Sequence, residues 1–100
     1  MQDGLLDIVK AFLDITWTDD ATEKKLTLMI NNAIADLDAK SGIKNDYTTP
    51  GKAQDLLLNR VSYDMVHALD DFYINYRKDI IAFINKAKVK KYVDEQKSNE

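Results

Sequence analysis

Residues 26–37 read LTLMINNAIADL, and this stretch decides the fold class of the 100-residue chain. Its apolar side chains recur three and four positions apart, which is the spacing of one face of an α-helix. The helix is expected to begin within two residues of Asp19 and to end at Ser41 and Gly42, where glycine can adopt the left-handed conformation that follows a helix. The apolar face consists of Leu26, Met29, Ile30, Ala33, Ile34 and Leu37.

Two helix starts each offer alternative capping residues. Thr18 can cap the helix just described, with two aspartates in its first turn. Alternatively Asp20 caps it, and the glutamate three positions later completes a capping box. Residues 43–51 predict the main loop, because Asn, Asp, Pro and Gly occur together there. Thr48 or Thr49 can cap the helix that follows this loop.

Helical spacing continues on both sides of the opening stretch. Residues 3–15 predict a first helix, and residues 52–75 predict a third helix roughly 36 Å long. A fourth helix is expected to begin near position 76 or 77. The prediction is an all-α fold, a small bundle of four helices with one long central helix and a flexible C-terminal tail. The helical domain is assigned to residues 1–87, and a basic segment with a polar tail to residues 88–100.

The composition leaves few residues for catalysis. The absence of cysteine excludes a disulfide framework, a thiolate nucleophile and a Cys-ligated metal. The three glycines stand at positions 4, 42 and 51, so no Gly-rich phosphate loop exists. His67 is the only histidine, and we interpret it as a packed or interface residue. The sequence therefore predicts no enzyme, no metal site and no cofactor. It also contains no signal peptide and no apolar run of about 20 residues, which predicts a soluble intracellular protein.

The charge is distributed unevenly. The net charge is −3, but the first fifty residues hold five basic and nine acidic side chains, whereas the last fifty hold nine basic and eight acidic ones. Residues 77–91 alone contain six cations and one anion. Such a segment can meet carboxylates or phosphates of a partner while its apolar side docks, or it can be a solvated helix face. The residues assigned to docking here are Lys86, Lys88, Val89, Lys90, Lys91, Tyr92 and Val93.

The predicted third helix carries two apolar stripes. One stripe is expected to pack in the core of the bundle. The second indicates that the helix either lies at the centre of the bundle or also packs against another subunit. The loop at residues 43–51 is expected to project from the bundle, so that it could reach a neighbour or a channel. The hypothesis adds five partner-binding residues from these two elements, which are Tyr47, Leu56, Tyr63, His67 and Ile74.

The order of motifs resembles a known family. The stretch ITWTDD at residues 15–20 is followed by the opening helix, then by LLLNRVSY at residues 56–63 and ALDDFYINY at residues 68–76. This layout resembles the head–tail connector proteins, also termed adaptor or DNA-packaging proteins, of long-tailed double-stranded DNA phages and prophages. The resemblance covers about residues 3–87, and its more distinctive positions are Arg60, Tyr63, Asn75 and Tyr76.

The resemblance implies a structural protein of the virion. Members of the family are small helical proteins that form a ring under the portal, extend the DNA channel and provide a platform for stopper or tail-completion proteins. It implies assembly in the bacterial cytoplasm, no catalysis and no cofactor, with double-stranded DNA passing through the channel without specific binding. The family's C-terminal segment, which would be about residues 86–95 here, engages neighbouring components. The alternative is a small helical nucleic-acid-associated regulator that uses residues 77–91 as a phosphate-contacting patch.

Overall fold

The computed structural model describes residues 2–16 and 19–98, and within them all regular secondary structure is helical. This confirms the predicted all-α class, although the described residues form five helices instead of the four expected. The helices are α1 (Leu5–Phe12), α2 (Asp20–Ser41), α3 (Lys52–Met65), α4 (Leu69–Asn75) and α5 (Arg77–Ser98).

Helix α2 begins and ends where its sequence predicts, but its N-cap is a different residue. Asp19 is the cap, and its carboxylate accepts a hydrogen bond of 2.8 Å from the backbone N–H of Thr22. Asp20 is the first helical residue and does not cap, and Thr18 lies outside the described residues. At the other end Gly42 has a φ of 74°, and its N–H donates to the carbonyl of Asp38 at 2.8 Å. The left-handed glycine therefore ends α2 as expected.

The helix predicted over residues 52–75 is wrong as one continuous element, because it stops at Met65. His67 adopts a φ of 58°, and its N–H donates to Asp64 O while the N–H of Ala68 donates to Tyr63 O. These two bonds form a Schellman motif, which turns the chain and satisfies carbonyls at the helix end. Glycine normally occupies the left-handed position, so a histidine there left no signal in the sequence.

A turn of the same kind ends the first helix earlier than the sequence predicts. Asp14 has a φ of 57°, and the N–H of Ile15 donates to the carbonyl of Lys10 at 2.9 Å. Helix α1 therefore ends at Phe12 instead of Ile15. Both unpredicted helix ends thus depend on a non-glycine residue in the left-handed region.

The cap predicted for α3 is also wrong. Gly51 precedes the helix and provides no side-chain hydrogen bond. Thr48 and Thr49 instead donate their hydroxyl protons to the carboxylate of Asp46, each at 2.6 Å. The threonines consequently stabilise the loop itself and not the helix start.

Helix α3 lies at the centre of the bundle and packs against each of the other four described helices. Helix α2 makes the most extensive contact with it, α1 contacts both α2 and α3, and α5 contacts α2 and α4 as well. The central helix is therefore short, with 14 residues, and the predicted long one is replaced by the α3–α4 pair. The largest fully buried side chains are Tyr47, Phe72, Leu5, Leu26, Ile30, Leu37, Leu56, Leu57, Val9 and Val61.

Residues 88–98 of the C-terminal segment continue α5 as a helix, where a flexible tail was expected. Tyr76 alone separates α4 from α5, and α5 then extends for 22 residues to Ser98. Ala87 is the last buried residue, and residues 88–96 are all exposed. The end of α5 thus extends beyond the core and contributes to an elongated molecule of 51 × 29 × 19 Å.

Candidate docking surface

The exposed end of α5 changes character where it leaves the core. Ile80, Phe83 and Ala87 are buried and lie three and four positions apart, which defines the core-facing side of the helix. Continuing that spacing leads to Lys91 and then Asp94, so the core-facing side becomes polar beyond Ala87. The sequence therefore ends the intramolecular packing surface of α5 at Ala87 while the helix itself continues.

Apolar side chains of α5 reappear on the opposite side. Val89 and Tyr92 are each 63% exposed, and Val93 and Ile81 are exposed as well. At about 100° per residue all four lie on the half of the helix that faces away from the core. We call Val89, Tyr92 and Val93 the outward stripe. A soluble monomer gains nothing from grouping exposed apolar residues, so the stripe is typical of a contact surface.

Three lysines near the end of α5 flank the outward stripe. Lys86 and Lys90 lie on one flank of the helix, Lys88 lies on the other, and Lys91 continues the core-facing side beyond Ala87. All four are exposed, as predicted for this segment. The arrangement combines an apolar centre with a cationic border, which suits a protein surface more than a nucleic-acid backbone.

A groove runs between the loop before α3 and the flank of α5 that carries Lys86 and Lys90. Its volume is about 730 Å³. Its apolar lining comes from Phe83 and Ala87 of α5 and from Ile43 and Pro50 opposite them. The full set of lining residues is Ile43, Lys44, Asn45, Asp46, Thr49, Pro50, Gly51, Lys52, Ala53, Phe83, Lys86, Ala87, Val89 and Lys90. We call this the lysine-rimmed groove.

The loop wall of this groove is held by Tyr47, which lies in the core. Its hydroxyl donates to Asp38 Oδ1 at 2.6 Å, and Asp38 also accepts from the backbone and side-chain nitrogens of Asn45. Gln2 accepts from the backbone N–H of Tyr47 and donates to the carbonyl of Asn45. Burial raises the pKa of Tyr47, and the neighbouring Asp38 carboxylate raises it further. The loop is therefore fastened to α2 and the N-terminus, although Lys44, Asp46 and Thr49 are exposed.

Two residues assigned to partner binding are thus inaccessible. Tyr47 is fully buried for the reason just given, and Leu56 is fully buried because it faces the core from α3. The second stripe of the predicted third helix is divided by the turn at His67. That turn places His67 and Ile74 at the surface, with Ile74 71% exposed. Tyr63 is half-buried, and its hydroxyl accepts from Asn75 at 3.2 Å.

A buried polar network joins α2, α3 and α4, and sequence reasoning did not identify it. Arg60 Nε donates to Asp36 Oδ2 at 3.1 Å, and the hydroxyl of Tyr73 donates to the same oxygen at 2.7 Å. Burial raises the pKa of Asp36, but hydrogen bonds from Lys40 and Tyr73 and the charge of Arg60 outweigh it and lower the pKa overall. The 24-residue separation of the ion pair hides it from any local pattern. Its place between helices indicates a structural role.

Within residues 2–16 and 19–98, no group of three or more His, Asp or Glu side chains is arranged to hold a metal ion. None of the helices described over those residues has the length and hydropathy to cross a membrane. Comparison with protein-family models, curated proteins and solved structures found no match to this chain.

Proposed function

We propose that the chain is a structural adaptor at the head–tail interface of a tailed phage, where the exposed end of α5 docks onto a neighbouring component. The observation that carries the proposal is the outward stripe. Val89, Tyr92 and Val93 lie on a preformed helix that contributes nothing to the chain's own core beyond Ala87. A helix that is ordered before binding loses less conformational entropy on docking than a disordered arm does.

The family resemblance supplies the identity of the partners. In this proposal, copies of the chain form a ring beneath the portal protein, extend its DNA channel and present a platform for a stopper or tail-completion protein. The acidic excess of the chain suits a channel wall, because like charge keeps the DNA backbone from adhering during passage. No step of this function requires a cofactor or a catalytic residue.

The distribution of lysines favours the adaptor over a nucleic-acid-associated regulator. A DNA-binding helix groups its cations on one side to follow a groove or a phosphate backbone. Lys88 instead lies across the outward stripe from Lys86 and Lys90, and Lys91 lies on the core-facing side of α5. We therefore expect weak binding to duplex DNA.

The test is co-purification of the full chain with the portal protein encoded beside it. The double variant Tyr92→Asp, Val93→Asp places two charges on the outward stripe and should abolish the complex. Leu28→Asp is the control, because Leu28 is 62% exposed on α2 and does not belong to the outward stripe. Helical content by circular dichroism must be equal in all three proteins for the comparison to count.

Three results would overturn the proposal. The first is a wild-type chain that ignores the portal protein. The second is a stripe variant that binds the portal as well as the wild type does. The third is tight binding of duplex DNA whose affinity falls steeply with salt, which would favour the regulator.

A further inference from the structure

The lysine-rimmed groove is a second surface whose chemistry specifies an occupant. It lies beside the outward stripe, and only Val89 belongs to both. Phe83 and Ala87 form its floor, and each is almost fully buried in the bundle. Ile43, Pro50 and Ala53 add apolar surface from the opposite wall. This floor can bury an aliphatic or aromatic side chain that enters from solvent.

The cations around the groove are largely uncompensated. Lys52 pairs with Asp79 at 2.9 Å. In contrast, no carboxylate of the described residues forms an ion pair with Lys44, Lys86 or Lys90. Three free ammonium groups therefore border one apolar floor on a chain whose net charge is negative. This local reversal of sign attracts an anionic partner to the groove.

One carboxylate also lines the groove, and the loop holds it in place. Asp46 accepts hydrogen bonds from Thr48 and Thr49, which lower its pKa to about 2. Its charge is therefore constant at neutral pH. Asp46 therefore remains a single negative charge beside the lysines of the groove. No ion pair links it to any of them.

We propose that the lysine-rimmed groove binds an acidic segment of a partner protein, with one apolar side chain of that segment seated on Phe83 and Ala87. Exposed residues such as Gly51 and Lys90 line the groove, so it is open to solvent. Nucleic acid fits less well, since the lining includes no aromatic ring exposed enough to stack with a base. The inference is independent of the proposed adaptor function.

The test uses synthetic peptides and the full chain labelled with nitrogen-15. The probe is an acetylated peptide of alternating Glu and Ala residues with a central Leu-Phe pair. One matched peptide replaces Glu with Gln, and another replaces the Leu-Phe pair with Ser-Ser. The original peptide should shift the amide resonances of Ile43, Phe83 and Ala87 in proportion to its concentration. Both matched peptides should bind at least about tenfold more weakly, because each lacks one of the two required contacts.

Variants of α5 distinguish peptide binding in the groove from general electrostatic attraction to the chain. Lys86→Glu with Lys90→Glu reverses the charge at the rim of the groove and should weaken peptide binding at least about tenfold. Lys88→Glu with Lys91→Glu makes the same change in charge at two lysines that do not line the groove, and it should leave the affinity within about twofold. The pair also separates this inference from the adaptor proposal, which is tested through Tyr92 and Val93.

Specific outcomes contradict the inference. Equal weakening by the two lysine pairs would mean that the peptide senses net charge alone. Equal binding of the Ser-Ser peptide would remove the role of the apolar floor. If the same amide resonances shift with protein concentration and no peptide present, the occupant is a second copy of this chain, and the proposal of a separate partner is overturned.

Discussion

Replacing Tyr47 by phenylalanine tests how the loop is fastened to the bundle. The substitution preserves the buried ring and removes only the hydroxyl that donates to Asp38 Oδ1 at 2.6 Å. A hydrogen bond to a charged group contributes about 1.5–3 kcal/mol. Asp38 keeps its two bonds from Asn45 in the variant. We therefore expect Tyr47→Phe to lower the free energy of unfolding at pH 7 by about 1–2 kcal/mol.

The same hydroxyl predicts how this difference depends on pH. Burial and the Asp38 carboxylate raise the pKa of Tyr47 in the folded chain, while the unfolded chain has the ordinary tyrosine pKa of about 10. A raised folded pKa contributes stability that is complete below the unfolded value and is lost as pH rises. The wild type should therefore lose about 1.4 kcal/mol per pH unit above about pH 10 through this group alone. The variant has no such group, so the two stabilities should become equal between about pH 10.6 and 11.5.

The assay is urea unfolding followed by far-ultraviolet circular dichroism, repeated at several values of pH between 7 and 11.5. Tyr92→Phe is the control, because Tyr92 is exposed and its removal should change stability little at any pH. If the difference in unfolding free energy between wild type and Tyr47→Phe stays constant through pH 11.5, the Tyr47 hydroxyl ionises as freely in the folded chain as in the unfolded one. Equal stability at pH 7 would refute the fastening role itself.

Three further predictions use the same unfolding measurement at neutral pH. Asp36→Ala should lower the free energy of unfolding by about 3 kcal/mol, because it leaves the buried guanidinium of Arg60 without its carboxylate. Arg60→Met should lower it less, since Asp36 keeps its ion pair with Lys40 in that variant. A loss for Asp36→Ala no larger than that for Arg60→Met would contradict this prediction. Asp19→Ala should cost about 1 kcal/mol through loss of the α2 cap, and an unchanged midpoint would argue against Asp19 as the cap. His67→Gly should increase stability by about 0.5 kcal/mol because it relieves a left-handed φ of 58°, and destabilisation would show that the imidazole has a packing role.

Local patterns predicted those parts of the fold that depend on neighbouring residues. The spacing of apolar residues in α2 predicted its extent, since one buried face is enough to produce that spacing. Gly42 marked the end of the helix because glycine adopts a left-handed φ without strain. Interleaved lysine and apolar residues at positions 88–93 indicated a docking segment, although the sequence could not decide between an extended and a helical form.

Other parts of the structure gave no local signal. The ends of α1 and α3 depend on Asp14 and His67 in the left-handed region. Asp and His adopt that conformation more often than most residues but far less often than glycine, so neither marks a helix end by itself. Leu56 was assigned to a partner surface because it belongs to the second apolar stripe, and Tyr47 because it lies in a loop that was expected to project. Their burial depends on how α3 and the loop pack against helices distant in sequence, which periodicity along one element does not report.

The sequence by itself determined the all-α class, the extent of α2, the lack of residues for thiol or phosphate-loop chemistry and the basic character of the C-terminal segment. These properties are set by composition and by contacts within one turn of helix. The tertiary structure alone decided that Arg60 meets Asp36, that Tyr47 fastens the loop and that the loop and α5 enclose a lysine-rimmed groove. Each of these requires side chains separated by many residues to meet, and only the packing of helices against one another brings them together.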